Sequence, residues 1–353
     1  MDDASLSTLV DDEFAPTKTY LNTASCGLLP RRSLAAVTEL AGTLSSGRTD
    51  GSGDFAVVEA ARERFARLAG VDADRVAVGG SVSVHVGMIA ASLPPGAEVL
   101  APEGEFSSVV GPFAVRGDLR TRYVPLERVA ESVGPDTALV ALSSVQSADG
   151  RTADLKAIRA AAADHGARTL VDATQSAGWL PLEAGEYDYT VTGGFKFLLG
   201  ARGTSYLTVT EEAQPGLPPL HAAMSAAEDP WDSVYGPVER LSRTARRFDA
   251  PPAFLAYHGA ERSLALLAEI GTEAVHTHAT GLAARMRAGL VRLGHEPVPG
   301  RSPIVAVPGL GDRGADLERA GIVVSNRAGN LRASFHVYNT EADVDRVLDV
   351  LAG

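Results

Sequence analysis

Three observations predict an α/β fold with a mainly parallel sheet. Between about residues 70 and 210, short apolar runs alternate with helical patterns, as expected of strands covered on both faces and joined by helices. After Pro237 the pattern changes to two long helical stretches, then three strands and a last helix, which predicts a smaller α+β unit. The 353 residues, 45% of them hydrophobic, suffice for one large core and a smaller one beside it. The large domain is placed at 18–236 and the small domain at 237–353.

The first helices are expected at 31–44 and 56–68, where apolar residues recur every three or four positions. The alternation then runs through a strand at 75–78, a helix at 81–93, a strand at 97–101 and a buried strand at 138–143. A helix follows at 154–165, with Asp154 suited to cap it and Gly166 to end it. Strands at 168–172, 189–192 and 205–210 complete the first unit. In the second, helices are expected at 253–270 and 272–293, strands at 302–307, 321–324 and 331–335, and a final helix at 341–351. The Gly/Ser segment 45–53 and the Pro-rich 214–219 read as linkers.

The balance of 32 basic against 44 acidic residues, a net charge of −12, argues against nucleic acid or an anionic membrane as partner, because both need a concentrated positive field. Cys26 is the sole cysteine, so the chain forms no internal disulfide and no cysteine-based metal cluster, and it reads as a small buried hydrophobe. The opening carries Asp2 and Asp3 where a secretory signal is basic, and the longest uncharged stretch, 76–97, is broken by glycines and prolines. A cytoplasmic location is therefore expected. His276 and His278, two apart on a helical pattern, should face apart on a solvated surface.

Only three of the 32 basic residues are lysines: Lys18, Lys156 and Lys196. Lys196 sits in Val191-Thr-Gly-Gly-Phe-Lys-Phe-Leu-Leu-Gly200, a run with no other charge. Unless it snorkels to the surface, an amine there must be paired, depressed in pKa or used covalently. Asp172 ends the apolar strand Thr169-Leu-Val-Asp172, where a carboxylate either enters the crevice at the carboxyl edge of the sheet or caps a turn. Val78-Gly-Gly-Ser-Val-Ser83 is a glycine-rich turn opening a helix, whose free N–H groups suit a phosphate. Together these are the requirements of pyridoxal phosphate: an amine for the Schiff base, a carboxylate that keeps the pyridine nitrogen protonated, and a helix terminus for the phosphate.

Four motifs then follow in order over nearly the whole chain. They are Tyr20-Leu-Asn-Thr-Ala-Ser-Cys-Gly27, Val171-Asp-Ala-Thr-Gln-Ser-Ala-Gly178, Gly193-Gly-Phe-Lys-Phe-Leu-Leu-Gly200 with Arg202-Gly203, and Leu331-Arg-Ala-Ser-Phe-His-Val-Tyr-Asn-Thr340. On these the sequence resembles the class V aminotransferase and cysteine desulfurase-like family of fold-type I pyridoxal phosphate enzymes, on its kynureninase- and epimerase-like side. The resemblance implies a sheet of the seven-stranded type in the large domain, with the N-terminal segment 1–30 packed on the small domain and over the active site. It implies pyridoxal 5'-phosphate as cofactor, a small amino acid or amino-acid conjugate as substrate, and a homodimer with shared active sites. The activity implied is an aminotransferase or a C–S-type β-elimination lyase working through a Cα carbanion. The alternatives are an amino-acid epimerase, or a non-catalytic protein of this fold that binds the cofactor.

By the same resemblance, Lys196 is the Schiff-base lysine and proton shuttle, Asp172 the pyridinium partner, and Gln175 the partner of the cofactor's phenolic oxygen. Ser81 and Val82, through backbone N–H groups, and Thr192, through its hydroxyl, are phosphate ligands. Phe106 stacks on the pyridine ring or is otherwise a buried core residue. Arg332 takes the substrate carboxylate, and Asn22 and Ala24 lie in the segment folded over the substrate. The sequence also departs from the family. No cysteine follows the lysine motif, so persulfide chemistry is not expected, and Phe195 stands where a histidine is frequent. Asp249-Ala-Pro-Pro252 replaces a Gly-Thr pair that many members lend to the neighbouring subunit's phosphate, leaving Arg246 or Arg247 as substitutes.

Overall fold

The structure is a computed structural model that describes residues 3–49 and 53–353; most of the expected linker at 45–53 is described, and residues 50–52 lie outside. Its strands are β1 (Thr19–Tyr20), β2 (Val76–Gly79), β3 (Glu98–Pro102), β4 (Arg120–Val124), β5 (Thr137–Ser143), β6 (Arg168–Asp172), β7 (Tyr189–Gly193), β8 (Ser205–Val209), β9 (Ile304–Val307), β10 (Ile322–Val323), β11 (Ser325–Arg327) and β12 (Asn330–Ser334). Seven form one sheet in the order β2-β8-β7-β6-β5-β3-β4. Only β8 runs antiparallel to its neighbours; all other pairs are parallel. The carboxyl ends of β2, β5, β6 and β7, at Gly79, Ser143, Asp172 and Gly193, therefore share one edge, where such sheets bind ligands.

The helices are α1 (Asp3–Glu13), α2 (Arg31–Ser45), α3 (Phe55–Ala69), α4 (Val82–Ser92), α5 (Ser107–Arg116), α6 (Val129–Ser132), α7 (Leu155–His165), α8 (Phe254–Ile270), α9 (Thr272–Arg292), α10 (Gly314–Arg319) and α11 (Glu341–Ala352). Asp154 caps α7 by accepting the Ala157 N–H at 3.1 Å, and Gly166 ends it in the left-handed conformation at φ +68°. One face of the large sheet packs on α4 and α5 through Val86, Ile89, Val109 and Phe113. The other face is covered by a core that holds Phe65 of α3 stacked on Tyr206 of β8, with Tyr257 of α8 edge-on to Tyr206. α8, which lies beyond residue 237, is thus packed against the large sheet. Near the carboxyl end, β11, β12 and β9 form an antiparallel sheet backed by α9 and α11.

The N-terminal segment is stitched into that second unit. β1 pairs in parallel with β10, Asn22 bridges Ser334, and the Ala24 N–H donates to Ser334 Oγ at 2.8 Å. Tyr20, Phe14 and Tyr338 pack ring to ring beneath it. The histidines of α9 face apart as expected, but neither is merely solvated. His276 stacks on Trp179 and bonds the Trp179 carbonyl, while His278 bonds the Asn339 carbonyl at 2.8 Å, because α9 is wedged between the two units.

Candidate active site

The Lys196 loop is held in one shape by what its carbonyls accept. Those of Gly194, Phe195, Lys196, Phe197 and Leu199 bond the N–H of Gly200, the N–H of Gly27, the N–H of Leu199, His336 Nε2 and the Ser263 hydroxyl, respectively. His336 Nδ1 accepts the Val337 N–H, which leaves Nε2 as the donor and the ring neutral. Leu199 sits at φ +57°, a conformation a branched side chain adopts only when its surroundings impose it. Gly27 must be glycine, since a Cβ there would lie 2.2 Å from the Lys196 carbonyl oxygen. The N-terminal segment therefore clamps the lysine loop directly.

The Lys196 amine lies 4.8 Å from the centre of the Phe106 ring and 5.8 Å from that of Phe195. Phe106 is 43% exposed, so it is not a core residue; its ring lies open beside the amine. The preceding Glu105 holds the turn there, accepting from the N–H groups of Phe106 and Ser143, the Ser143 hydroxyl and the Gln146 amide. Burial pushes the Lys196 amine down to about 8; the guanidinium groups of Arg332, Arg202 and Arg327 add to this and Asp172 opposes it. Asp172 is buried at the end of β6 and accepts the Thr174 N–H at 2.8 Å. Burial pushes its carboxyl up to about 6, against the pull of Thr174 and Lys196.

This shift has a sign that can be tested. Between the ordinary aspartate value of about 4 and about 6, the unfolded chain loses the proton first, so stability falls as pH rises and the full cost is present above about 6. In the cofactor-free protein, Asp172→Asn is therefore expected to raise stability at pH 7 on the order of 2–3 kcal/mol, and the advantage to vanish below about pH 4. Urea unfolding at the two pH values checks this, and an Asn variant less stable at pH 7 contradicts it.

The glycine-rich turn is the third part. Ser81 stands at the N-cap of α4 in extended conformation and makes no side-chain cap, so the first N–H groups of the helix, starting at buried Val82, are left for a ligand. The turn rests on the Tyr257 hydroxyl, which accepts the Gly79 N–H and shares its proton with the Gly79 and Ser205 carbonyls. Behind it, Asp249 forms a two-point ion pair with Arg62 and accepts the Val78 N–H at 2.8 Å. Asp249 is thus a structural anchor of β2. Arg246 and Arg247 are engaged with the carbonyls of Ala227, Glu228 and Ser242.

Arg332, only 1% exposed, lies on β12 and is paired with no carboxylate among the described residues. It donates to the Ser147 carbonyl and hydroxyl, the Ser25 hydroxyl and the Ser325 hydroxyl. Ser147 also accepts from the Gln175 amide, whose nitrogen donates in addition to the Ala24 carbonyl at 3.0 Å. Gln175, Ala24 and Arg332 are thus joined through Ser147, and Asn22 lies on the same segment with a buried, unpartnered Oδ1. The open atom of Gln175 is its carbonyl Oε1, which can accept from a phenolic O–H, whereas its amide nitrogen is already engaged with Ala24 and Ser147. Thr192 is not brought to the site in the expected way. Register pairs Asp172 with Val191 and Thr192 with Tyr206, so the buried, unpartnered Thr192 hydroxyl lies on the opposite face of the sheet from the Asp172 carboxyl.

A buried amine, a strand-end carboxylate with no ion-pair partner among the described residues, and a helix terminus with open N–H groups suit pyridoxal phosphate, and unpartnered polar atoms at Gln175 and Asn22 leave room for further bonds. This arrangement defines a lysine-based cofactor enzyme. Residues 19–347 match the family described as Aminotransferase class-V. The chain belongs to that family and is a pyridoxal phosphate-dependent enzyme. It is 28% identical over 313 residues to an uncharacterized aminotransferase, YcbU, of Bacillus subtilis, covering 83% of each chain. It is also 28% identical to an isopenicillin N epimerase of Amycolatopsis lactamdurans, covering 95% of each. Among solved structures it is similar to the cystine C-S lyase C-DES in complex with cysteine persulfide, with a TM-score of 0.85 and 25% identity over 95% of this chain and 97% of that one.

Ser25 and His336 lie inside two of the four motifs, yet nothing in the sequence shows what they bond, and Tyr257 and Ser147 lie outside the motifs altogether; each acts through a contact distant in sequence.

Proposed function

We propose that the enzyme removes the Cα proton of a small amino acid or amino-acid conjugate, in an aminotransferase or C–S-type β-elimination reaction, and works as a homodimer. In this reading the small domain begins at about 237 in the sequence, although its first helix, α8, packs back on the large sheet, and the N-terminal segment closes the site. The observation that carries it is the setting of Lys196: a buried amine beside the open ring of Phe106, acted on by the charges of Asp172 and of a buried Arg332 that has no carboxylate partner among the described residues. When bound, pyridoxal phosphate supplies an electron sink for the charge left at Cα.

The chain's own residues do the rest. Arg332 binds the α-carboxylate, because the neutral oxygens around it satisfy its N–H groups without neutralising its charge. Asp172 keeps a proton on the pyridine nitrogen, and in that pairing the cost of its burial is recovered. Lys196, depressed to about 8, is in part neutral near pH 7 and takes the proton from Cα and returns it. Ser81 and Val82 would offer backbone N–H groups to the phosphate, and the open Phe106 ring beside Lys196 would supply an aromatic surface for the cofactor. Cys26, half-buried in the N-terminal segment, supports the peptide turn there through the Tyr20 hydroxyl bonded to its carbonyl, and no persulfide step is assigned to it.

An amino-acid panel tests this reading, with shifts of the visible spectrum reporting binding and assays of keto acid, ammonia and sulfide reporting the reaction. Arg332→Ala is expected to raise KM for every α-amino acid by about 100-fold, with a smaller change in kcat. An unchanged KM removes Arg332 from the substrate.

A further inference from the structure

Arg332 is not the only cation left without a counter-charge beside Lys196. Arg327 Nη2 donates at 3.0 Å to the same Ser25 hydroxyl oxygen that receives Arg332 Nη2 at 2.7 Å. Two guanidinium groups thus converge on one neutral atom, and neither has a carboxylate within ion-pair distance among the described residues. Like charges held this close repel unless an anion joins them. Arg327 is exposed, yet its guanidinium is turned onto Ser25, with its Nη1 also donating to the Asn326 carbonyl at 3.3 Å.

The local fold sets it there. β11 and β12 pair Arg327 with Asn330 across a two-residue turn in which Ala328 and Gly329 both have positive φ, +51° and +79°. Ala328 is a poor residue for that conformation, so the turn is maintained at some cost. Asn326 braces it by accepting the Gly329 N–H at 3.1 Å. The Arg202 guanidinium, whose charge also acts on Lys196, lies 4.3 Å from the centre of the Phe195 ring, with no carboxylate partner among the described residues. Of the acidic groups beside Lys196, Glu105 already accepts four hydrogen bonds, leaving Asp172, which the cofactor ring engages. In a chain of net charge −12, this surplus of positive groups is local to the site.

We propose that the substrate carries a second anionic group, on a short acidic side chain, and that Arg327 seats it while Arg332 holds the α-carboxylate and Arg202 adds positive field. This rests on the reading of Arg332 given above. Because the two forks meet at one serine oxygen, the two anions are separated by a short chain, as in aspartate, glutamate or a cysteine sulfinate, and the Ser25 hydroxyl lies between them. Arg327 is a specificity-determining residue in this arrangement, not one that touches the reacting atoms.

The test compares the holoenzyme with its Arg327→Gln and Arg327→Lys variants on matched pairs: aspartate with asparagine, glutamate with glutamine, and cysteine sulfinate with alanine. Wild type should prefer the acidic member of a pair in kcat/KM by about tenfold or more. Arg327→Gln should erase that preference through KM, with kcat and the neutral member changed less than about threefold, and Arg327→Lys should keep part of it. Cofactor absorbance equal to wild type shows that each variant is folded. If neutral amino acids react and the acidic ones do no better, or if Arg327→Gln leaves the preference intact, the proposal falls and the reading of Arg332 stands. If no amino acid perturbs the cofactor spectrum, both fall together.

Discussion

Replacing Lys196 with alanine is expected to lower kcat by about 10⁴-fold or more, with the fold intact and the cofactor still bound through Asp172 and the N-terminus of α4. The size follows from the absence of a substitute. Neither of the other two lysines offers a substitute, since Lys18 and Lys156 are both exposed on the surface. Lys196→Arg should be as inactive, because a guanidinium neither condenses with an aldehyde nor gives up its proton near neutral pH. An added small primary amine should restore part of the activity of the alanine variant and none of that of the arginine variant. Steady-state kinetics reads the loss, and residual activity above about a hundredth of wild type contradicts the assignment of Lys196 as the proton carrier.

The largest effect on stability is expected from Arg62→Ala, at about 3–5 kcal/mol. Arg62 and Asp249 are both buried and meet through two bonds, at 2.7 and 3.1 Å. Arg62 also donates to the Val76 carbonyl, and Asp249 accepts the Val78 N–H, so the pair fixes the strand on which the glycine-rich turn stands. Removing the guanidinium strands a carboxylate that burial already pushes upward. The double variant Arg62→Met with Asp249→Leu should cost less than the single one, because it leaves no unpaired charge. Urea unfolding of the cofactor-free proteins measures both, and a cost below about 1 kcal/mol for Arg62→Ala would mean that the pair is solvated.

The strongly patterned elements were legible in the sequence. β6 is observed over the residues expected, 168–172, and the helices at 31–44, 56–68, 253–270 and 272–293 differ only at their ends. β4 was missed because it is an edge strand, Arg-Thr-Arg-Tyr-Val, whose charges keep that edge from pairing with another chain and hide the apolar alternation. α5 was missed because Gly111 and Pro112 punctuate it, although its packed face, Val109 and Phe113, is apolar. α1 carries no strong apolar stripe, and β1 and β11 are too short to show a period.

At the site, residues inside motifs could be named from sequence, whereas their orientation could not. The strand alternation that turns Thr192 away from Asp172 depends on register, and the convergence of Arg327 and Arg332 on Ser25 depends on a hairpin closing over a segment some 300 residues away in the chain. The role of Asp249 likewise emerges only with Arg62 beside it.

The chain's small number of lysines makes the central claim directly measurable. The holoenzyme is reduced with borohydride, digested, and the peptides carrying the cofactor's added mass are identified. With only Lys18, Lys156 and Lys196 available, the cofactor is expected on Lys196 alone, at close to one per chain. Cofactor mass on Lys18 or Lys156 with none on Lys196, or on no lysine at all, would contradict the account.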